Sequence, residues 1–333
     1  SLEELVAILG DARLADRLEM LAFNAIPGTT MPDFWAHQYD QQSNQVLCTV
    51  AKRDWASNRD DANLYGLEPD YGCCTANMHQ GWPKFVSHMW MATHDQGLVA
   101  VAYGPSEVKA RVADGVDVTI LEETQYPFQG HIRFTVTVPE PLVFPLHLRI
   151  PAWAEGAVIQ VGKKTISPEA GTFAVIKRKW STGDSVVLNL PMKVRVETRY
   201  HDAVSVMRGP LYFALRIGER FKELKHYYLQ SSDWEVHPTT PWNYGLIIDK
   251  TNPENSFVVE TRDIAGNIWD QENAPVVLRA RGKAIPEWTI VNNSAGDTPQ
   301  SPVISDQPLT ELELIPYGNT RLRITEFPVI DDR

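Results

Sequence analysis

Between residues 98 and 200 the chain reads LVAVAY (98–103), VDVTILEET (116–124), HIRFTVTV (131–138), FPLHLRIP (144–151), AVIQVG (157–162), FAVIKRKW (173–180), SVVLNLP (185–191) and KVRVETRY (193–200). These are short, β-branched runs, separated by Gly, Pro and Asp about every ten residues. On a pleated strand alternate side chains face opposite sides, so one set can be buried while the other meets water. A train of such strands predicts an all-β sandwich. From Met207 to Pro316 the strands continue with more interruptions, in NYGLIID (243–249), NSFVVET (255–261) and PVVLRARG (275–282), which predicts a second, looser β domain. The closing PYGNTRLRITEFPV (316–329) reads as one more strand, able to return to the first sandwich.

Toward the amino terminus the period changes. Leu2, Leu5 and Leu9 share a helix face, Gly10-Asp11 breaks the helix, and Asp11 is placed to cap the next one. Leu14, Leu18 and Leu21 continue at helical spacing to about Ala25, before Pro27-Gly28. The two helices form an αα-hairpin, a unit that cannot bury its apolar face alone. Residues 27–75 are polar, aromatic and aperiodic, which marks a long functional loop. Met78, Trp82, Phe85, Val86 and Met89 restore helical spacing, with a helix start expected between Thr75 and Pro83. The expected division is 1–95 for helices and loop, 96–206 for a first sandwich completed by 317–330, and 207–316 for a second β domain.

Bulk properties narrow the function. The 333 residues suit two or three domains. A net charge of −11 leaves no basic stripe for phosphate, which argues against nucleic acid and anionic membranes as partners. No apolar run approaches the length of a membrane span. The opening SLEELVAILGDARL lacks the basic start and cleavage site of a signal peptide and reads as the middle of a helix. The expectation is a fragment of a longer soluble protein, with periplasm and cytoplasm both open. Three cysteines are an odd count, too few for a disulfide framework.

Two of those cysteines are adjacent, in YGCCTANMHQGWPKF (71–85). A disulfide between neighbours strains the intervening peptide. Presented on a loop near a helix start, Cys73 and Cys74 could instead reach one soft metal, or one could act as a nucleophile. The bland alternative is two small hydrophobes in a buried turn.

Around this block the chain resembles the carboxy-terminal half of glycoside hydrolase family 127, the β-L-arabinofuranosidase-like proteins. The resemblance is carried by LVAILGDARLADRLEMLAFNAIPGT (5–29), WAHQYDQQSNQV (35–46), DANLYGLEPDYGCCTANMHQGWPKF (61–85), LRIPAWAEGA (148–157), VMRGPLYFAL (206–215) and PYGNTRLRITEFPV (316–329). It implies the remnant of an (α/α)6 barrel followed by two all-β sandwich domains, and a retaining hydrolase of furanosidic, plant-glycan sugars. It further implies Cys73 as nucleophile, with Cys73 and Cys74 as zinc ligands. The family's other zinc ligands, a glutamate and a cysteine in Glu-Thr-Cys, and its acid/base glutamate lie upstream of the point matching Ser1. Zinc is therefore expected in the longer protein and incomplete in this chain, which alone should be inactive. Two departures stand out: Tyr71 occupies a position where characterised members carry histidine, and Thr75-Ala76 replaces the usual two prolines.

Other residues are weighed from their types. Trp35, His37 and Tyr39 are candidates for substrate contact, since sugar sites combine aromatic faces with fixed polar groups. Trp55 and Trp82 read more simply as core. Cys48 could join the cysteine pair or be a buried thiol; His79 could orient a ligand or lie on the helix surface. Asp33, Asp40, Glu68 and Asp70 are loop carboxylates that the sequence does not separate. Arg208-Gly209-Pro210 reads as a strand entering a turn. The expected partner is a glycoside or oligosaccharide, and a homodimer is compatible. The competing class is a non-catalytic β-sandwich binding or scaffold module with structural thiols.

Overall fold

The computed structural model describes residues 2–249 and 251–331. The chain divides into two compact units, residues 1–22 with 82–193, and residues 23–81 with 194–333.

In the first unit, helix α1 (Leu2–Leu9) and helix α2 (Ala12–Met20) flank the Gly10-Asp11 break. Asp11 is extended and its carboxylate accepts the Arg13 N–H at 2.9 Å, the cap expected from sequence. Past Met20 the helix widens into a π turn, Leu21–Ala25, and continues into a last α turn, Ile26–Thr29, so helical structure runs past the expected end near Ala25 and takes in Pro27-Gly28.

The strands of this unit form two sheets. One runs Thr172–Trp180, Leu142–Ile150, Leu98–Ala100, Trp90–Ala92; the other runs Ser106–Val112, Val116–Thr124, His131–Thr137, Ser185–Asn189, Val158–Val161, Lys164–Ile166. Ladders are antiparallel except that between 98–100 and 142–150. Ile132, Phe134 and Val136 alternate inward from one sheet, Phe144, Leu146 and Leu148 from the other, and all are buried. The ring of Trp90 meets Phe134 of the facing sheet edge-on, centroids 5.8 Å apart. This is the sandwich that the period-2 pattern predicts. The same alternation on Val116–Thr124 buries Val118, Ile120 and, with them, Glu122. Its carboxylate accepts the Gly104 N–H at 3.1 Å and the Ser106 hydroxyl at 2.9 Å, while burial pushes its pKa up to about 8.

Helix α2 is tied to this sandwich by charge. Glu19 is fully buried, accepts the Tyr103 N–H at 3.0 Å and the Tyr126 hydroxyl at 2.6 Å, and pairs with Arg149. The Arg149 guanidinium also pairs with Asp16. The boundary expected at residue 95 is thereby redrawn: residues 2–22 fold with the first sandwich, because an ion-pair cluster and the Val6, Ala15 and Val101 contact bury the hairpin there.

The second unit is built on a sheet in the order Val194–Thr198, Val204–Arg208, Leu211–Leu215, Thr310–Pro316, Val276–Ala284, Tyr244–Leu246, with Phe257–Thr261 also pairing Val276–Ala284. It begins at Val194, ahead of the expected 207, because 194–198 pairs residue for residue with 204–208. Gly209-Pro210 makes the turn into the next strand, and the Asn24 side chain donates to the Pro210 carbonyl at 2.9 Å and accepts the Tyr212 N–H at 2.8 Å.

The closing segment also differs from expectation. It stays in the second unit: Arg323 and Ile324 pair with Gln45 and Asn44, Phe327 bridges Val204, and Val329 bridges Leu246. Its two arginines are the reason. Arg323 is fully buried, donates to the Gly28 carbonyl and the Tyr65 hydroxyl, both at 3.0 Å, and lies 4.2 Å over the Tyr317 ring. Arg321 donates to the carbonyls of Gly318 at 3.0 Å and Trp269 at 3.1 Å. A guanidinium with five fixed donors can satisfy several loop carbonyls at once.

Candidate functional site

The long stretch 30–71 is mostly irregular but tied down at several points. His37 and Gly66 exchange backbone hydrogen bonds, both at 2.9 Å, and isolated bridges join Tyr65 to Trp234 and Cys48 to Val236. Beneath it Gln38, Gln45 and Asn63 are buried and bond one another: Gln38 Nε2 donates to the Asn63 carbonyl at 2.7 Å, and Asn63 Nδ2 to Gln45 Oε1 at 3.0 Å. Buried amides that bond one another and the backbone can hold a loop where apolar periodicity is missing, although Asn63 Oδ1 is left without a partner.

The cysteine pair lies at the end of this loop. Tyr71 is extended and helix α3 (Gly72–Met78) starts directly after it, so the cysteines occupy the first helical turn. The helix starts earlier than the expected Thr75–Pro83, and Pro83 opens a separate helix, Gly81–Ser87, at its third residue, where a missing N–H costs nothing. Cys73 is exposed and Cys74 half-buried. Burial, and next a hydrogen bond with the Cys73 thiol, raise the pKa of Cys74. Of the two, Cys73 is the accessible one.

Aromatic rings border them. Tyr71 meets Tyr39 edge-on at 5.3 Å, and the Tyr39 phenol is pushed up first by burial and then by the charges of Cys74 and Cys73. Asp70, with φ of +66°, holds the strained backbone turn just before the helix. Its side chain is buried and accepts Arg59 Nε at 2.8 Å; Arg59 also donates to the Asp70 carbonyl and lies 5.8 Å from the Tyr71 ring centre.

The other sequence candidates separate clearly. His37 is buried, with Nε2 3.1 Å from Thr75 Oγ1 and Nδ1 3.3 Å from the Gln38 carbonyl, so its ring faces the protein and touches the helix through Thr75. Tyr39 is half-buried beside the cysteines. Trp35 is 40% exposed, and its carbonyl accepts the Ser231 hydroxyl at 3.3 Å. Cys48 is fully buried, accepts from Gln38 Nε2 at 3.4 Å, and burial pushes its thiol up to about 12, so it is a core residue. His79 sits at the far end of α3 and is exposed. Asp33 accepts the Trp35 N–H and Asp40 accepts Asn58 Nδ2, whereas the exposed Glu68 folds over Gly72, with Oε1 3.1 Å from where a Cβ would stand. Sequence reading missed Arg59 and gave Thr75 no role, since their partners lie 11 and 38 residues away with no local pattern to announce them.

Zinc, the cofactor implied by the resemblance, requires four ligands in a stable tetrahedral site. Cys73 and Cys74 supply two soft donors, and among the described residues no group of three or more His, Cys, Asp or Glu side chains could hold a metal ion. Among the described residues the pair thus offers two of those four ligands. Among the described residues no helix is long and apolar enough to cross a membrane.

Comparison with solved structures finds the same fold in other proteins. A protein described as a glycoside hydrolase superposes with a TM-score of 0.69 at 18% identity, over 98% of this chain and 50% of its own. A GH127 β-L-arabinofuranosidase from Geobacillus stearothermophilus T6 gives 0.67 at 19% identity, over 100% and 48%, and another GH127 β-arabinofuranosidase gives 0.68 at 18%, over 98% and 47%. The chain spans about half the length of these structures. More particularly, residues 97–192 match the family model described as the GH127 middle domain of β-L-arabinofuranosidase. The chain resembles the carboxy-terminal half of that family, as its motifs indicate. A comparison with curated proteins found no match.

Proposed function

We propose that this chain is the carboxy-terminal portion of a retaining glycoside hydrolase of the β-L-arabinofuranosidase type, acting on sugars of plant glycans. The observation that carries the reading is the exposed Cys73 sulfur beside Cys74 in the first turn of α3, bordered by Tyr39 and Tyr71. In this reading the Cys73 thiolate attacks the anomeric carbon. A C–S bond forms as the glycosidic C–O bond breaks, and an acid protonates the departing oxygen. Water then attacks the same carbon, loses its proton to a base, and the thiolate departs. Two displacements retain configuration. Cys74, which holds its proton more firmly than an ordinary thiol, supports Cys73 as the attacking sulfur. Tyr39 and Tyr71 supply a ring wall for the apolar face of a sugar. The remnant of an (α/α)6 barrel is proposed for the helical and loop segments, with the remainder and the acid/base residue supplied outside this chain. Zinc would find two sulfurs here and need further ligands from elsewhere; no step above depends on it.

Hydrolysis of an aryl β-L-arabinofuranoside by the longer protein tests the proposal. Cys73→Ala should lower kcat/KM by about a thousandfold or more, and Cys48→Ala should leave it within about threefold. Full activity of Cys73→Ala would rule out the mechanism. A second reading, a non-catalytic glycan-binding module, rests on the two-sheet β architecture that makes up most of the first unit. It expects glycan binding without turnover, unchanged in Cys73→Ala.

A further inference from the structure

Cys73 is exposed and Cys74 half-buried, and the backbone on either side of the pair is tied down. After the pair, Thr75 Oγ1 donates to the Leu67 carbonyl and accepts from His37 Nε2 at 3.1 Å. The imidazole that donates is itself buried. Leu67 is fixed in turn, since its N–H donates to Asp233 Oδ1 at 3.1 Å, and Gly66 beside it leaves no room for a Cβ against that same carboxylate. Before the pair, Arg59 grips Asp70 by carboxylate and carbonyl and stacks near Tyr71. A seven-residue helix has little stability of its own, because few hydrogen bonds follow its costly first turn. Something outside it must hold the thiols in register.

We infer that His37, acting through the Thr75 hydroxyl, is a positioning residue for the Cys73–Cys74 pair, with Arg59 as its counterpart on the preceding turn. His37 donates to a hydroxyl that is already committed to a carbonyl, so the hydroxyl is fixed in rotation and the first turn of α3 is fixed against the loop. The arrangement keeps Cys74 half-buried while Cys73 is open. The inference concerns the same thiols as the proposed glycosidase reading, but its test needs no turnover. If sugar hydrolysis fails and the thiol result stands, the glycosidase reading falls and this one remains.

The test is the rate of iodoacetamide alkylation at each cysteine, resolved by peptide mass spectrometry on the native protein. In the wild type Cys73 should react well ahead of Cys74, and Cys48 should stay unmodified. His37→Ala should raise the Cys74 rate relative to Cys73 by about fivefold to tenfold, the change in open population that losing one hydrogen bond brings, and Thr75→Val, which loses the bonds to both His37 and Leu67, by at least as much. Cys48 should remain unlabelled, and Thr75→Ser, which restores the hydroxyl, should return the ratio to that of wild type. Should the buried variants not fold, Arg59→Gln on the surface is the substitute, with a shift in the same direction. An unchanged ratio in Thr75→Val, or in Arg59→Gln where that must stand in, would overturn the inference. So would acceleration at Cys48 equal to that at Cys74, which would make the bond a support of the whole unit instead of the helix.

Discussion

At the residue scale, three cysteines of one sequence type behave in three ways, and position alone decides it. Cys48 packs beneath a glutamine with its thiol pushed up to about 12, Cys74 is half-buried against its neighbour, and Cys73 is open. At pH 8 brief alkylation should therefore modify Cys73 and spare Cys48 in folded protein; early modification of Cys48 would contradict its placement. Asp70 offers a second check. Its left-handed φ suits Asp, Asn or Gly but strains Ala, so Asp70→Ala should cost stability by about 1–3 kcal/mol, combining strain with loss of the Arg59 pair. Asp70→Asn should recover part of that in a denaturant melt, because asparagine tolerates the backbone; equal losses in both would show that the turn carries no strain. The sequence made Cys73, Cys74 and Tyr39 legible because adjacent thiols and loop aromatics are visible locally. It put His37 with Tyr39 and Trp35 as a candidate for substrate contact and gave Asp70 no distinction from Asp33, Asp40 and Glu68, since only tertiary partners tell a buried side chain from a solvated one.

At the element scale, the strands were the most legible part of the chain. Period-2 runs such as HIRFTVTV name their inward residues directly, and Phe134 sits at the meeting of both sheets. Phe134→Ala should destabilise the first unit by about 3–5 kcal/mol, read as a shift in chemical unfolding midpoint at constant slope. A loss below about 1 kcal/mol would mean that the two sheets do not pack there. Element partnerships were less legible. The helical hairpin announced two helices and a cap, but nothing in its periodicity said that Glu19 would meet Arg149, 130 residues on by chain number. The closing PYGNTRLRITEFPV read as a strand for the first sandwich, yet Arg321 and Arg323 draw it under the loop of the second unit. Arginine in a strand normally signals solvent, so burial through carbonyls and a tyrosine ring could not be anticipated from hydropathy. Gly28 marks the same anchor: an added Cβ would strike the Tyr317 ring, so Gly28→Ala should lower the thermal midpoint of the second unit, and an unchanged midpoint would argue against that packing.

At the scale of the whole molecule, mostly-β architecture and a family resemblance agree with the fold match over the length of the chain. Buried Glu122 contributes to the pH dependence of stability, in the same direction as Glu19 and Glu219, whose pKa values burial also raises. Glu122 has a pKa raised from 4.5 to about 8 by burial, so the folded state binds a proton that the unfolded state releases at lower pH. The stability it contributes is complete below about pH 4.5 and is lost as pH rises through about 8, at up to roughly 1.4 kcal/mol per pH unit between those limits. Glu122→Gln should flatten that part of the pH–stability profile; a variant with the wild-type slope would show that the carboxyl is not neutral in the fold. The functional account, by contrast, stands on one sulfur. The most direct measurement is peptide mapping of the longer protein after an acid quench during reaction with an activated β-L-arabinofuranoside. A single pentosyl group on Cys73, absent in Cys73→Ala, is the expected result. Steady hydrolysis with no sugar on Cys73 at any quench time, or with the sugar on a carboxylate, would contradict it.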